Sequence, residues 1–507
     1  MEILEILLVI AFLIVLLRNT IYLLFLWQLK EYRWDRFWVH LKTWQGKRLL
    51  FGKTATIKWL ILLLTLFLLW KKSHLEFLPG PDGILHFVQN DINWIVFVLF
   101  FIEAVYYIKQ LLTSGWQWPI FTFKTILIGS FTFFLLGLGI FGLSSLSLPA
   151  KLLLFDRALL PLISLMIIFA DIPTKIYDQF LIAKAKRKIK NHPQLLTIGI
   201  TGSYGKSTTK EFLAQILSQK FKVLKTPANI NTDIGVAKTI LKDLKSKHQI
   251  FVSEMGAYKR GEIKAICEIV KPKMGIITGI NEQHLALFGD LKKTMAAKFE
   301  LIKALPHKGL AVFNGKNNYC LTMADQADEI GKTTVIVKEK KKKTPSNLAV
   351  EFFDLNVRLA TVVAQKLGVD SAMINQVVKK LKPPAHTMQI FKKNDLSLID
   401  DTYNSNPQGV LAALDYLKNY QGKRIFVFQP MIELGKAAAR LHQKVGRKAA
   451  KICDSMILTN KNYYQDFVKD AREKVSLRRN LPKIKKGVIL FEGREAKKLF
   501  ELLISNY

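Results

Sequence analysis

A glycine-containing turn at residues 201–208 carries side chains whose types and spacing could bind a phosphorylated ligand. A short apolar run that favours β-structure precedes it, and a helical pattern with one apolar face begins at Lys206. Gly202 and Gly205 would let backbone N–H groups approach an anion, and the start of the helix adds its partial positive charge. Lys206 could then bridge the outer phosphates, and the Ser207 hydroxyl could bind Mg²⁺. The residues therefore predict strand, phosphate-binding loop and helix, although G-x-x-G-K-S is shorter than the usual G-x-x-x-x-G-K-[ST].

The composition limits the classes of partner. The chain has 507 residues and a formal net charge of +36. Its basic residues are scattered lysines rather than an arginine-rich platform with aromatic residues, so we expect no nucleic-acid partner. Cytoplasmic loops of a membrane protein together with an anionic substrate explain the positive charge at least as well as nucleic-acid binding would. A lysine-rich genome is a further explanation of the charge. Cys267, Cys320 and Cys453 show no close metal-binding spacing and suit a reducing compartment.

Long apolar runs dominate the first third of the chain and predict membrane spans, because several exceed about 18 residues almost free of charge. We predict five spans, with four or six as the alternatives. The runs lie at about residues 3–27, 56–70, 92–112, 121–143 and 152–170. The second run is short for a span, so Lys58 and Lys71 would have to extend toward the membrane surface. Glu103 and Asp156 lie inside runs, where ionisable residues often have a function, but neighbouring residues could also pair with them.

The charges of the loops predict an orientation. Residues 30–53, between the first and second runs, contain seven lysines and arginines, and such a basic loop should remain in the cytoplasm. Residues 73–90 contain no lysine or arginine and should face outward. A second basic segment, residues 173–193, follows the fifth run. Five spans with an outside N-terminus place both basic segments and the rest of the chain in the cytoplasm, as in a multi-pass protein of the cell membrane.

The remainder of the chain alternates strand and helix patterns, which is typical of an α/β protein with parallel sheets. The predicted strands after the loop are residues 250–252, 275–278, 310–313, 334–337, 396–399, 424–428, 456–458 and 488–491. One long helix is predicted at residues 355–382, and Pro383 and Pro384 mark a natural boundary behind it. The pattern therefore predicts two soluble α/β domains, of which the second is the smaller.

Six patterns occur in order along the chain: T-G-S-Y-G-K-S-T at 201–208, N-I-N-T-D-I-G at 229–235, E-M-G-A at 254–257, E-Q-H-L-A-L-F-G at 282–289, A-K-F-E at 297–300 and D-D-T-Y-N-S-N-P at 400–407. In this order they resemble the motifs of the Mur ligases, the ATP-dependent amide ligases of peptidoglycan precursor synthesis. The last is close to a motif of the branch that adds D-alanyl-D-alanine, and M-I-E-L-G at 431–435, with His442 and Gly446, fits that branch too. The resemblance covers about residues 194–507.

The resemblance implies a fold and the boundaries of its domains. The fold class is an α-helical membrane region followed by α/β structure, with a phosphate-loop Mur-ligase central domain and a Rossmann-like C-terminal domain. The implied domains are residues 1–172 for the membrane region, 173–193 for a basic linker, 194–384 for the ATP-binding central domain and 385–507 for the C-terminal domain.

The resemblance also implies cofactors and site residues. ATP and two Mg²⁺ ions are implied, and Lys298 is implied to be carbamylated, which turns its cation into an oxygen ligand. The implied catalytic residues are Lys206, His284 and Lys298. The implied metal ligands are Ser207, Glu254, His284 and carbamylated Lys298. The implied nucleotide-binding residues are Gly202, Ser203, Tyr204, Gly205, Lys206, Ser207, Thr208, Asn314, Asp400, Tyr403 and Asn404. Since these residues come from two domains, we expect a closing motion before chemistry.

Two features depart from the family's pattern. The family's ligases begin with a small soluble domain that holds the UDP-sugar, and membrane spans occupy that place here. The family carries G-R near the junction of the last two domains, where the arginine helps hold a phosphate, whereas residues 384–388 read P-A-H-T-M. His386 or Thr387 could replace that arginine, or the phosphate is held otherwise. Both departures affect the predicted substrate rather than the predicted reaction class.

The predicted function is that of a membrane-anchored amide ligase with cytoplasmic catalytic domains. It would join a carboxylate of an anionic cell-wall precursor to an amino acid or dipeptide through an acyl-phosphate, with D-alanyl-D-alanine as the implied dipeptide. A polyglutamate-type ligase is one alternative, and the D-D-x-Y-N motif argues against it. A transporter or signalling protein with a Mur-like ATPase domain is another, but the spans hold few polar residues for a substrate. We expect a lipid-linked acceptor at the bilayer; the competing hypothesis is that the spans are only an anchor.

Overall fold

The computed structural model of the protein describes residues 2–42, 44–74, 82–113, 115–143, 146–338, 353–393, 395–470, 474–477 and 486–505. The structural statements below concern this part of the chain. It divides into two compact units, Met1–Tyr177 and Asp178–Tyr507. The first unit is helical, and the second is α/β.

Long apolar helices build the first unit. The helices are α1 (Glu2–Leu29), α2 (Trp34–Leu41), α3 (Trp44–Phe51), α4 (Lys53–His74), α5 (Asp82–Thr113), α6 (Phe123–Gly142) and α7 (Leu148–Lys190), the last of which continues into the second unit. By length and composition, five stretches of the described chain could cross a membrane, namely Ile3–Leu29, Gly46–Leu68, Asp91–Thr113, Phe123–Ile140 and Leu148–Lys190. The number agrees with the five runs in the sequence, and the crossing itself stays a prediction.

The outer faces of these helices are apolar. Leu63 on α4, Ile102 on α5 and Phe134 on α6 are 59%, 60% and 57% exposed. An apolar surface that extends over several helices is unfavourable in water and suits a lipid environment. The first unit therefore has the surface expected of a membrane region.

A buried group of charged side chains connects three helices of the first unit. The Lys58 ammonium on α4 lies 2.5 Å from a Glu103 carboxylate oxygen on α5 and 3.0 Å from an Asp156 oxygen on α7. Arg157 contacts the same Asp156 oxygen at 2.5 Å. Of the two interpretations left open for these acids, the structure shows the one in which basic residues pair with them. The prediction that Lys58 extends to the membrane surface is wrong, because the two carboxylates neutralise it inside the helix cluster, where it is only 1% exposed.

The second unit begins within α7 and continues with the central α/β domain. Its elements are β1 (Leu196–Thr201), α8 (Lys206–Leu217), β2 (Val223–Lys225), α9 (Asp233–Asp243), β3 (Ile250–Glu254), α10 (Glu262–Val270), β4 (Met274–Ile277), α11 (Leu285–Phe288), α12 (Leu291–Lys303), β5 (Leu310–Asn314), α13 (Asn318–Glu329), β6 (Thr333–Val337), α14 (Asp354–Lys366) and α15 (Ser371–Val378). The six parallel strands have the order β2-β3-β1-β4-β5-β6. Since β3 and β4 flank β1, their carboxyl ends lie on either side of the loop that follows β1.

Local sequence explains the strand, loop and helix at the centre of this domain. The β1 residues are buried from Thr197 onward, and α8 buries Phe212, Leu213 and Ile216 in the core next to the sheet. Gly205 caps α8 with a φ of +76°, a left-handed conformation that glycine adopts without steric cost. The predicted strand, loop and helix are therefore observed, and α8 begins at Lys206 as predicted.

The C-terminal domain contains a second six-stranded sheet. Its elements are β7 (Gln389–Lys393), β8 (Leu396–Asp401), α16 (Pro407–Leu417), β9 (Arg424–Phe428), α17 (Ala438–Ile452), β10 (Ser455–Leu458), α18 (Tyr464–Val468), β11 (Val475–Leu477), β12 (Gly487–Glu492) and α19 (Ala496–Ser505). The strand order is β11-β10-β9-β12-β8-β7, and only β7, at the edge, is antiparallel in the described sheet. One continuous apolar core joins this domain to the central one.

One predicted element differs in kind from the structure. The single helix predicted at residues 355–382 is two helices, α14 and α15. Gly368 has a φ of +74° just after α14, which ends that helix. Asp370 then caps α15, since its carboxylate accepts hydrogen bonds from the N–H groups of Ala372 and Met373 at 2.8 and 3.3 Å. The predicted strands agree with the structure to within a residue or two at their ends.

Candidate active site

The loop between β1 and α8 needs glycine for steric reasons. Gly202 has a φ of +150°, and a Cβ there would lie 2.2 Å from the Thr278 hydroxyl oxygen at the end of β4. A Cβ on Gly205 would lie 2.6 Å from the Asn356 side-chain nitrogen on α14. Neither position could accept a side chain without rearrangement, so the loop backbone lies close against its neighbours. The Ser203 N–H donates to the Gly279 carbonyl at 2.7 Å, and the N-terminus of α8, which follows the loop directly, has the partial positive charge that could attract a phosphate.

Lys206, the predicted phosphate-bridging residue, is folded back over the loop. Its ammonium group donates to the Gly202 carbonyl at 2.9 Å and lies 3.5 Å from the Ser203 carbonyl. Burial lowers the pKa of Lys206 below its ordinary value, and the charge of Glu254 partly opposes that shift. Lys206 and Glu254, both predicted site residues, therefore act on each other at the carboxyl edge of the sheet.

A second buried lysine, which the sequence analysis did not single out, faces Glu254. Lys210 lies on α8 one turn after Lys206 and is fully buried, with its ammonium nitrogen 3.2 Å from a Glu254 carboxylate oxygen. The other Glu254 oxygen accepts a hydrogen bond from the Asn231 amide at 3.2 Å. In the sequence, Lys210 follows Lys206 by four residues, a spacing that places both lysines on one helix face. This spacing could have identified Lys210 as a further site residue.

Lys298, on α12, lies in the same cluster. Its side chain is buried, and its nitrogen donates to the Ala257 carbonyl at 3.3 Å. Burial, with the positive charge of Lys206 as the next cause, lowers the pKa of Lys298 to about 7. A substantial share of this amine is therefore neutral near neutral pH, unlike a lysine on a helix surface.

His284 is placed in a left-handed turn and contacts the other domain. It has a φ of +62° just before α11, and its Nδ1 lies 2.5 Å from a Glu433 carboxylate oxygen. Its ring and the Tyr258 ring meet edge to face, with a centroid distance of 4.8 Å and an interplanar angle of 77°. Burial lowers the pKa of His284, and the hydrogen bond and charge of Glu433 partly counter this. The positive charges of Lys298 and Lys206 also lower the pKa of the imidazole, so the three predicted catalytic residues lie within electrostatic range of one another.

The other predicted loop residues have mainly structural contacts. The Ser203 hydroxyl accepts from the Asn281 N–H at 3.2 Å. The Tyr204 ring packs against Gly279, and burial raises the pKa of Tyr204 to about 12. Thr208 is buried in α8. These residues shape the loop, whereas Ser207 lies next to the Tyr403 hydroxyl of the C-terminal domain.

The predicted nucleotide-contacting residues outside the loop lie in different environments. Asn314 is buried, and its amide donates to the Thr278 carbonyl at 2.7 Å. Tyr403 reaches the central domain, where its hydroxyl donates to the Asn229 side chain at 2.5 Å. Asn404 is exposed. Only Tyr403 of this group forms a direct contact between the two domains.

The residues at the domain junction form a pair of their own. Asp400 is fully buried, and one of its carboxylate oxygens lies 2.7 Å from His386 Nδ1. Its other oxygen accepts from the Thr402 hydroxyl at 2.6 Å. The His386 side chain is 37% exposed, and Thr387 is half-buried. The junction histidine is therefore oriented by Asp400, which is itself occupied by protein contacts.

The side chains fit a metal ion that arrives with a nucleotide. Among the described residues, no three His, Cys, Asp or Glu side chains converge as a ready-made metal site. Mg²⁺ at nucleotide sites is usually held by one or two carboxylates with phosphate oxygens and water. Glu254 retains lone pairs beside its contacts with Lys210 and Asn231, and the Ser207 hydroxyl lies at the start of α8. These two residues could hold such an ion.

The site lies within two domains of a known family. Residues 200–377 match the Mur ligase middle domain, and residues 387–497 match the Mur ligase glutamate ligase domain. The chain belongs to the Mur ligase family. The resemblance seen in the sequence motifs is thus confirmed, and both matches lie after the first unit.

Curated relatives of this Mur ligase chain are UDP-N-acetylmuramoyl-tripeptide–D-alanyl-D-alanine ligases. The Synechocystis protein is 35% identical over 267 residues, which are 50% of this chain and 58% of the relative. The Escherichia coli protein is 29% identical over 278 residues, 50% of this chain and 61% of the relative. The chain thus spans somewhat less than two thirds of the length of these relatives.

Solved structures show the same fold. MurF from Acinetobacter baumannii is 24% identical, with a TM-score of 0.58, over 65% of this chain and 80% of that protein. Thermotoga maritima MurF ligase in complex with ADP is 24% identical, with a TM-score of 0.55, over 65% of this chain and 84% of that protein. At this level of identity the likeness concerns the arrangement of helices and strands in the second unit.

Proposed function

We propose that the chain is a membrane-anchored, Mg²⁺- and ATP-dependent amide ligase of cell-wall precursor synthesis. It joins a carboxylate of an anionic precursor to the amine of a dipeptide, D-alanyl-D-alanine, as the names of the curated relatives suggest. The observation that carries the proposal is the cluster of Lys206, Glu254, His284 and Lys298 at the carboxyl edge of the central sheet, within the Mur ligase middle domain, in which Glu254 and Lys298 are buried and Lys206 and His284 are half-buried. Such a cluster has the charges needed to bind and activate phosphorylated groups.

The reaction requires activation of a carboxylate, which ATP supplies. A carboxylate oxygen attacks the terminal phosphorus and ADP leaves; the amine then attacks the carbonyl carbon, phosphate leaves, and the amine nitrogen loses a proton. The loop N–H groups and Lys206 bind the phosphates and stabilise the charge that develops on their oxygens. Ser207 and Glu254 are the proposed ligands of the first Mg²⁺.

Lys298 is proposed to become an anionic ligand by carbamylation. Its neutral amine attacks CO₂, a C–N bond forms, and one proton is released, which leaves a carbamate with carboxylate-like oxygens. The burial that lowers its pKa to about 7 favours the neutral amine that this step requires. The change replaces repulsion between Lys298 and Lys206 by attraction, and the carbamate with His284 is the proposed site of a second Mg²⁺.

The first unit is proposed to hold the ligase at the cytoplasmic face of the membrane. Five helices with the required length and composition support this, as do their apolar outer faces. Tethering the catalytic unit to the surface that carries a lipid-linked acceptor would raise the effective concentration of that acceptor. Residues 30–53 hold seven basic and two acidic side chains and could attract its anionic headgroup. Arg33 and Arg36 in this segment form ion pairs with Asp35 and Glu31. The attraction of the headgroup would therefore come from the net positive charge of the whole segment rather than from these two arginines alone.

ADP release by the purified full-length protein in detergent tests the proposal. Release should require both an acceptor carboxylate and D-alanyl-D-alanine. Release with neither would indicate an ATPase, as expected of a transporter or signalling protein, and would contradict the ligase proposal. Matched lipid-linked and UDP-linked acceptors should differ in initial rate, with the lipid-linked one faster. Equal rates would indicate that the spans only anchor the ligase and do not contribute to the choice of acceptor.

A further inference from the structure

Two contacts of one glutamate in the C-terminal domain reach the turn at residues 284–286 of the central domain. The Glu433 carboxylate lies 2.5 Å from His284 Nδ1, and the Glu433 carbonyl accepts a hydrogen bond from the Ala286 N–H at 3.1 Å. The sequence analysis noted the segment around Glu433 but assigned it no role. Its carboxylate is 149 positions away along the chain from the imidazole that it contacts.

The turn that carries Glu433 is shaped for this contact. Glu433 has a φ of +65°, which is unusual for a residue with a Cβ. Gly435 follows with a φ of +55°, and a Cβ there would lie 3.0 Å from the Ala286 nitrogen. The turn therefore lies directly against residues 284–286, and both His284 and Glu433 have left-handed backbones where they meet. Such strain persists where the surrounding structure fixes it and is frequent at functional sites.

We propose that Glu433 is a positioning residue that orients the His284 imidazole for metal binding when the two domains are closed; this rests on the function proposed above. A neutral imidazole has one N–H donor and one lone-pair acceptor. When the Glu433 carboxylate accepts the Nδ1 hydrogen, Nε2 carries the lone pair. Carboxylates that fix histidines in this way are common next to metal-binding imidazoles.

The consequence is a coupling between domain closure and completion of the site. Tyr258, Lys206 and Lys298 also act on His284, but all three belong to the central domain. The oriented imidazole is therefore available only while Glu433 is in contact. In the open state the ring would lose its carboxylate partner, and the affinity of the site for the metal ion would fall.

A nearby ion pair provides a matched control. Arg440 contacts a Glu282 carboxylate oxygen at 2.9 Å, and it also connects the two domains, but its side chain is 67% exposed. Substituting Arg440 removes a contact between the domains without changing any partner of the imidazole. If Glu433 only held the two domains together, Arg440→Ala should have the same effect on metal binding as Glu433→Ala. If Glu433 orients His284, Arg440→Ala should not have that effect.

The test is a titration of the full-length protein with Mn²⁺ in the presence of a non-hydrolysable ATP analogue, followed by electron paramagnetic resonance. Glu433→Ala should weaken Mn²⁺ binding about 10- to 100-fold, and Glu433→Gln, whose amide oxygen can still accept the Nδ1 hydrogen, should weaken it less. Arg440→Ala should leave Mn²⁺ binding unchanged. Combining Glu433→Ala with His284→Ala should be no worse than His284→Ala alone.

Unchanged Mn²⁺ affinity in Glu433→Ala, or equal losses in Glu433→Ala and Arg440→Ala, would overturn the inference. The titration needs no acceptor, so it is judged separately from the ligase proposal. If the wild-type protein binds Mn²⁺ with the analogue but shows no acceptor-dependent ADP release, the proposed function fails while the role of Glu433 is still decided. Turnover of Glu433→Gln relative to Glu433→Ala adds a second readout, because the conservative variant should recover part of kcat.

Discussion

Carbamylation of Lys298 should depend strongly on pH, and the structure sets the range. With a pKa of about 7, the amine is about nine-tenths neutral near pH 8, about half neutral at pH 7 and about one-tenth neutral near pH 6. Lysine titrates from neutral to charged as pH falls, so the reactive form is lost on the acid side. At constant dissolved CO₂, the neutral fraction that can react therefore falls about tenfold between pH 8 and pH 6.

Carbon-13 NMR of the full-length protein equilibrated with labelled CO₂ would detect the carbamate. A single site-specific signal should be strong near pH 8, weak near pH 6 and absent in Lys298→Ala. Lys292→Ala is the control, because Lys292 lies exposed on the same helix and should leave the signal unchanged. Lys298→Ala should also be nearly inactive and partly restored by a small carboxylic acid. An unmodified Lys298 at pH 8, or near-normal turnover of Lys298→Ala, would refute the reasoning.

Three further predictions concern other parts of the chain. Lys206→Ala should abolish turnover while leaving the circular dichroism spectrum unchanged, and near-normal product formation would contradict its role at the phosphates. Lys58→Met leaves the half-buried Glu103 carboxylate without its ammonium partner, while Arg157 still pairs with the buried Asp156, and should destabilise the first unit by about 3 kcal/mol, the lower end for a broken buried ion pair, measured as a lower melting temperature in detergent; an unchanged melting temperature would show that the cluster does not stabilise the unit. Reporter tags at Met1 and Tyr507 should lie on opposite sides of the membrane, and tags on the same side would mean an even number of spans.

The parts of the fold that depend on local spacing were predictable. The glycines, the apolar face of α8 and the short apolar strands are each set by a few neighbouring residues, and their positions agree with the structure. The short strands β2 and β11 contain three residues each and were not predicted, because so short a run has no visible alternation. The polar edge strand β7 was missed for a related reason, since an edge strand needs little apolar content.

The contacts within the site were less predictable, because they join distant parts of the chain. The family resemblance suggested Glu254 as a metal ligand, but only the folded sheet places Lys210 against it. The segment of Glu433 resembled the family, yet its contact with His284 depends on how the two domains meet. Lys58 was interpreted from its position in one helix, and its burial follows from two acids on other helices. The roles of the individual site residues stay predictions.

The transfer of oxygen from the acceptor to phosphate tests the central claim most directly. If the acceptor carboxylate is activated as an acyl-phosphate, one of its oxygens remains on the phosphate when the amine displaces it. An acceptor labelled with oxygen-18 in that carboxylate, incubated with the full-length protein, ATP, Mg²⁺ and D-alanyl-D-alanine, should yield inorganic phosphate that carries one oxygen-18 atom for each amide formed. Unlabelled phosphate, formed with or without the acceptor, would show that ATP is hydrolysed by water and would contradict the ligase account.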